Sequence, residues 1–241
     1  ATVAPNVGVT SSNDGDVGNV IIAPSAVGVT ADTIIGTDNF MKVAFYSPSF
    51  SGFKIGASFA PSSAGTDVMP AVGGNAGTDT QEYNLALAYS SKLGSVDISA
   101  DLGFGETHGE AASSSKAWRT GINLGFGNVV VGGSYRKTSE IDNLIAGTAN
   151  SPEETAFDAG ITYASGPWAI GANYLNVSAP KSSAIQGDDE SSQLFLGASY
   201  TMGPGIELLG NVFHVEWDDE STADANNNDG WGLMAGISVA F

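Results

Sequence analysis

Four of the eight basic residues in this 241-residue chain, Lys42, Lys54, Arg119 and Arg136, stand in extended segments on the face opposite an apolar stripe. Asp97, Asp101 and Asp158 occupy the same polar face of their own segments. Fixed charges of both signs on a wall that faces water set a field acting on passing ions. The same residues equally read as local pairs that neutralise one another between neighbouring strands. Covalent chemistry has less to build from. The two histidines, His108 and His214, have neither a serine nor a carboxylate at a telling spacing, and the chain has no cysteine, which removes thiolate nucleophiles, thiolate metal sites and disulfides. No catalytic residue and no dedicated metal site is assigned.

The run "DDESTADANNNDG" has the look of a calcium loop. An EF-hand needs glycine at its sixth position and a bidentate acid at its twelfth; counting from Asp224 places Asp229 and Ala235 there instead. That motif is rejected. Acidic residues outnumber basic ones 26 to 8, for a net charge of −18, which argues against nucleic acid as a partner because phosphate binding needs clustered Lys and Arg.

The elements that must position these charges are strands. Hydrophobic residues make up 42% and charged ones 14% of the chain, yet the apolar residues are spread in alternation and no run approaches the length of a membrane helix. From Asn39 onward about eleven alternating segments of roughly ten residues follow one another, the length of a tilted spanning strand. They begin at "FMKVAFYS" and "GFKIGASFA", pass through "AWRTGINLGFG" and "VVVGGSYRK", and end at "GWGLMAGISVAF". Tight turns such as "SKLGS", "FGNV", "ASGPW" and "MGPGI" alternate with long connections such as "TSEIDNLIAGTANSPEE". Short, long, short, long is the signature of an up-and-down meander with turns on one side of a membrane and loops on the other. One face of most strands is apolar with aromatics at its ends, as in Tyr83, Leu85, Leu87, Tyr89, and the other is small and mixed. In the last strand Trp231 and Phe241 are the two interfacial ends of such a stripe. The segment "IELLGNVFHVEW" breaks the alternation, and a bulge or register change near Gly210 is expected.

At "FYSPSFSGFKIGASFAP", together with the C-terminal Phe241, the sequence resembles general-diffusion porins of Gram-negative outer membranes, especially the alphaproteobacterial kind. The resemblance covers Asn39 to Phe241 well and the opening stretch loosely. It implies an all-β, antiparallel transmembrane barrel of about sixteen strands, an outer-membrane location, a likeness to homotrimers, and passive diffusion of ions and small hydrophilic solutes. It also implies a basic cluster on the wall, here Lys42, Lys54, Arg119 and Arg136, facing acids on an inward-folded loop, here Asp14 and Asp16 with Asp32.

Counted back from Phe241, the first strand would be the family's sixth, so residues 1–38 take the place of the inward-folded constriction loop and residues 39–241 form the barrel strands. About the first five strands are then missing, and the chain is expected to be the C-terminal portion of a longer porin. An alternative is that Ser25 to Ile35 supplies a strand completing a closed twelve-stranded barrel that acts as an enzyme or adhesin. The expected partners are outer-membrane lipid and lipopolysaccharide. No cofactor is expected beyond a loosely held divalent cation at the acidic extracellular loops, where it would bridge lipopolysaccharide phosphates.

Overall fold

The computed structural model describes residues 41–61, 80–109, 114–142, 153–179, 187–220 and 226–240. They form eleven strands: β1 (Val43–Tyr46), β2 (Phe53–Ala60), β3 (Thr80–Leu93), β4 (Val96–Gly109), β5 (Ser114–Phe126), β6 (Val129–Asp142), β7 (Glu154–Ser165), β8 (Trp168–Ala179), β9 (Asp189–Gly203), β10 (Ile206–Asp218) and β11 (Asn228–Val239). All belong to one sheet in which every strand pairs antiparallel with its neighbours in sequence, so spatial order and chain order are the same. Among the described residues there is no twelfth strand, and Ser25 to Ile35 lie outside them. No described helix is long and apolar enough to cross a membrane.

Register converts the alternation into two faces. Ile55 pairs with Leu87 and Leu87 with Leu102, keeping one apolar set together across β2, β3 and β4. The same set continues through Ile122, Val131, Ile161, Leu196 and Leu233. This outer face is apolar and yet exposed: Leu85 is 54% and Leu233 76% accessible. A soluble sandwich buries its apolar face and leaves the polar one to water. Here the arrangement is reversed, which is stable only where the surroundings of the outer face are themselves apolar.

The aromatics fall into two belts bounding that face. Toward the short turns, Phe53 stacks beside Tyr89 at 4.6 Å and Trp168 beside Tyr200 at 4.4 Å. Toward the long connections lie Phe59 with Tyr83 at 4.9 Å and Trp118 with Tyr135 at 5.2 Å. Rings with an apolar body and a polar edge sit at the headgroup level on both sides of a bilayer. Trp231 belongs to the second belt, against the His214 ring at 4.7 Å; Phe241 lies outside the described residues.

The strands are longer than the apolar stripe requires, up to 15 residues in β9. β4 runs on past Phe104 to Gly109 and β5 starts at Ser114, so most of the stretch from Glu106 to Lys116 is strand rather than loop. Polar pairs hold this extension: Glu106 accepts from His108 at 2.9 Å and lies 3.6 Å from the Lys116 ammonium. The short turns close tightly. Pro204 and Gly205 turn β9 into β10 with Gly205 at φ +75°, and a Cβ there would run into the Ala240 carbonyl oxygen.

β10 departs from the expectation. Its register is continuous through Gly210, and the irregularity lies at Ile206/Glu207, beside that turn. The broken alternation has another cause: both faces of β10 are apolar. Leu208 and Val212 face outward, while Phe213, Val215 and Trp217 point inward and are buried with Phe195. The inner surface is therefore not uniformly small. It is glycine- and alanine-rich over β2 to β5 and bulky over β9 and β10. Phe213 is accommodated because Gly232 stands opposite it on β11, where any side chain would occupy the ring's volume.

Candidate functional site: the charged inner face

The inner face of β2 to β7 gathers most of the charged residues singled out above. Arg119 on β5 and Arg136 on β6 are direct cross-strand neighbours. Two guanidinium groups side by side repel, and each is answered by an acid from the far side. Arg119 Nε lies 3.8 Å from Asp101 Oδ2 on β4, with both side chains largely covered. Arg136 donates to Glu154 on β7. The result is a row, Asp101, Arg119, Arg136, Glu154, that crosses four strands with the cations in the centre.

Small residues make room for that row. Gly103 stands opposite Arg119, and a Cβ on it would lie 3.2 Å from Arg119 Cγ, so the arginine stem lies over the glycine. Ala86 pairs with Gly103 and Gly56 with Ala86, continuing the small surface to β2. A recess of about 320 Å³ opens there, lined by Ser58, Asn84, Ala88, Asp101, Arg119 and Arg136 among others. Among the described residues, charged side chains thus stand beside open space.

The other named residues are placed less uniformly. Lys54 points inward, opposite Ala88, which in turn faces Asp101. Two interstrand steps put it roughly 10 Å from that aspartate. Lys42 precedes β1 and is exposed. Asp97 is not part of the row: it pairs with Lys92 at 3.0 Å beside the β3–β4 turn, where both are well exposed. Four residues of strand separate it from Asp101, roughly 13 Å. Asp158 accepts a hydrogen bond from Ser134. Asp14, Asp16 and Asp32 lie outside the described residues.

Three polar residues of this surface were not singled out from the sequence. Glu154 was counted with a long loop, although it stands four residues before Asp158 on the same face. Glu82, 5% exposed, and Asn84, which donates to it, continue the polar face of β3; their same-face spacing with Ala86 was the available signal. The histidines do have carboxylate neighbours, Glu106 for His108 and Asp229 for His214 at 3.3 Å. Both pairs lie on the outer face at the loop-side belt. On the outer face of β6, Lys137 pairs with Glu153, 2.8 Å away.

A second polar group sits at the loop ends of β9 and β10. Asp189, Asp219 and Glu220 bring three carboxylates within 4.8 Å of one another. Hydrogen bonding to Asp219, then to Asp189, together with burial, raises the Glu220 carboxyl above the usual carboxylate range.

The sequence comparison agrees with this geometry: residues 1–220 match the family described as Gram-negative porin. The chain belongs to that family. The match begins at residue 1, so it includes the opening stretch that the resemblance covered only loosely, and it stops before β11. It does not single out the alphaproteobacterial kind. A porin with an exposed apolar band between two aromatic belts has its place in the outer membrane. No curated protein sequence matches the chain.

Among solved structures, the porin is similar to the anion-selective porin from Comamonas acidovorans, at 19% identity and a TM-score of 0.58, covering 83% of this chain and 59% of that one. It is similar to a loop L8 deletion mutant of OmpT, an outer membrane protein of Vibrio cholerae, at 13% identity and 0.56, covering 82% and 62%. It is also similar to OccAB2 of Acinetobacter baumannii, at 11% and 0.57, covering 81% and 54%. At these identities the likeness shows the fold. The chain spans between 54% and 62% of the length of these proteins.

Proposed function

We propose that this porin forms the wall of a water-filled outer-membrane channel through which ions and small hydrophilic solutes diffuse passively, without enzymatic chemistry. The supporting observation is the Arg119–Arg136 pair on an inner surface of glycine and alanine, flanked by Asp101 and Glu154. Charge on a small-residue wall biases passing ions and leaves them room to move. The closed twelve-stranded barrel with an enzymatic or adhesive role is not favoured, since the eleven strands follow the porin meander.

Residues 1–38 act as the constriction segment, with Asp14 and Asp16 opposite the arginines, giving a transverse field. The outer face meets lipid and, at the loop-side belt, lipopolysaccharide. This porin assembles as a homotrimer, as its family resemblance implies.

Planar-bilayer recording tests the proposal. Discrete ohmic steps are expected, with a zero-current potential in a salt gradient that changes when Lys42, Lys54, Arg119 and Arg136 are neutralised together. Steps of unaltered ion selectivity in that variant would remove the charged wall from the account. Absence of steps from a folded barrel would remove the channel.

A further inference from the structure

We infer that Asp189, Asp219 and Glu220, at the loop-side ends of β9 and β10, form a binding site for a divalent cation, with calcium the best fit. Asp189 is fully buried and Asp219 is 7% exposed. Carboxylates withdrawn from water and crowded together repel, and such groups are retained where a cation or a shared proton offsets the repulsion. The three ligand oxygens lie within 4.8 Å of one another. Oxygens at that spacing can share one calcium ion at about 2.4 Å each, and an irregular set of protein oxygens suits calcium's flexible shell better than magnesium's near-octahedral one.

Two oxygens without donors, one from the carboxylates themselves and one beside them, point to a ligand rather than to chance crowding. Glu220 Oε2 is shut off from solvent and has no hydrogen-bond partner. The Ser191 hydroxyl is likewise without a partner, on a residue only 1% exposed. Ser191 is next below Asp189 on the inner face of β9 and pairs across to Trp217, which is next below Asp219 on β10. It thus forms the floor of the carboxylate group, where it can supply a neutral oxygen or hold a bridging water. Buried oxygens that lack donors are costly unless occupied, and hard oxygen ligands in this number select calcium over softer metals.

The surrounding chain is held in place for this role. The Glu220 amide donates to Asp189 Oδ1 at 3.4 Å, Asn226 donates to Asp219 Oδ2 at 2.7 Å, and the Asp219 amide donates to Asn227 at 2.8 Å. A cation here ties the start of β9 to the end of β10. The site is separate from the arginine row and does not depend on the channel reading.

Terbium luminescence excited through tryptophan tests the site, because Trp217 is its buried neighbour. With the full chain folded in detergent micelles, saturable sensitised emission is expected, displaced by calcium and weakened about tenfold or more in affinity in Asp189→Asn. Trp217→Phe should abolish most of the emission while calcium still raises the thermal unfolding midpoint. Emission of equal affinity in Asp189→Asn and Asp219→Asn would overturn the site, since binding would then be diffuse over the acidic loops. So would an unfolding midpoint of the unmodified chain that is indifferent to calcium and to chelator, a readout that requires no variant to fold. Conductance recorded in parallel separates this site from the channel: open channels without specific terbium binding refute the site alone.

Discussion

Arg136 shows what one side chain contributes on the inner face. It is 8% exposed and donates to Glu154, so it supplies a fixed positive charge close to the proposed passage. An ion passing about 10 Å away in water feels roughly 0.4 kcal/mol from one charge, a factor of about two in its local concentration. The effect is opposite in sign for anions and cations, so Arg136→Ala is expected to lower the anion-to-cation permeability ratio by about fourfold, read from the zero-current potential, whereas Arg136→Lys retains most of it. Gly232 acts through the side chain it lacks. Its missing side chain is the space taken by the Phe213 ring, so Gly232→Ala should destabilise the barrel by about 1–3 kcal/mol through overpacking, measurable by urea titration in detergent. Gly232→Ala combined with Phe213→Leu should recover part of that loss.

The unit of architecture is the hairpin, and each hairpin presents an apolar outer stripe between two aromatic belts. Leu85 lies near the middle of its stripe, between Tyr83 and Tyr89, and is 54% exposed. Leu85→Arg places a charge toward the bilayer midplane, at an expected cost of about 2–4 kcal/mol. Reversible unfolding from lipid vesicles checks it, and the same charge at Lys137, beyond the Tyr135 ring, is tolerated because it lies outside the band. The Pro204–Gly205 turn is the other hairpin-level determinant. Gly205 combines φ +75° with the close Ala240 carbonyl, so Gly205→Val strains both the backbone and the contact. It should slow folding into micelles, followed by tryptophan fluorescence, more than a comparable change on the outer stripe.

Over the whole molecule, an odd number of antiparallel strands leaves β1 and β11 running parallel at the two ends of the sheet order. Among the described residues neither has a second partner, and unpaired strand edges are not stable in lipid. The net charge of −18 acts at longer range than the arginine row. At low salt it should enrich cations around the proposed channel, and at about 1 M, where screening acts within roughly 3 Å, only the charges lining the wall should count. Bilayer recordings across that range should show cation preference falling as salt rises. A preference unchanged by salt would mean that the lining alone sets selectivity.

Much of this was legible in the sequence because a strand's period of two, repeated over hairpins with short turns, fixes both the pairing partners and the face of every side chain. That is why Arg119, Arg136 and Asp101 could be placed together on one surface, and why the outer stripes were read before any register was known. Glu154 escaped because a strand does not announce where it ends once it has passed the apolar band. β10 misled because both its faces are apolar, so alternation carries no information there; only packing against Phe195 and Gly232 showed which face is inside. Tertiary structure also decided what no local pattern contains: that Asp97 pairs away from the row, and that Asp189, thirty positions from Asp219, meets it across adjacent strands. Local periodicity determines which way a side chain points, whereas the meeting of distant residues depends on register, and register is a property of the whole sheet.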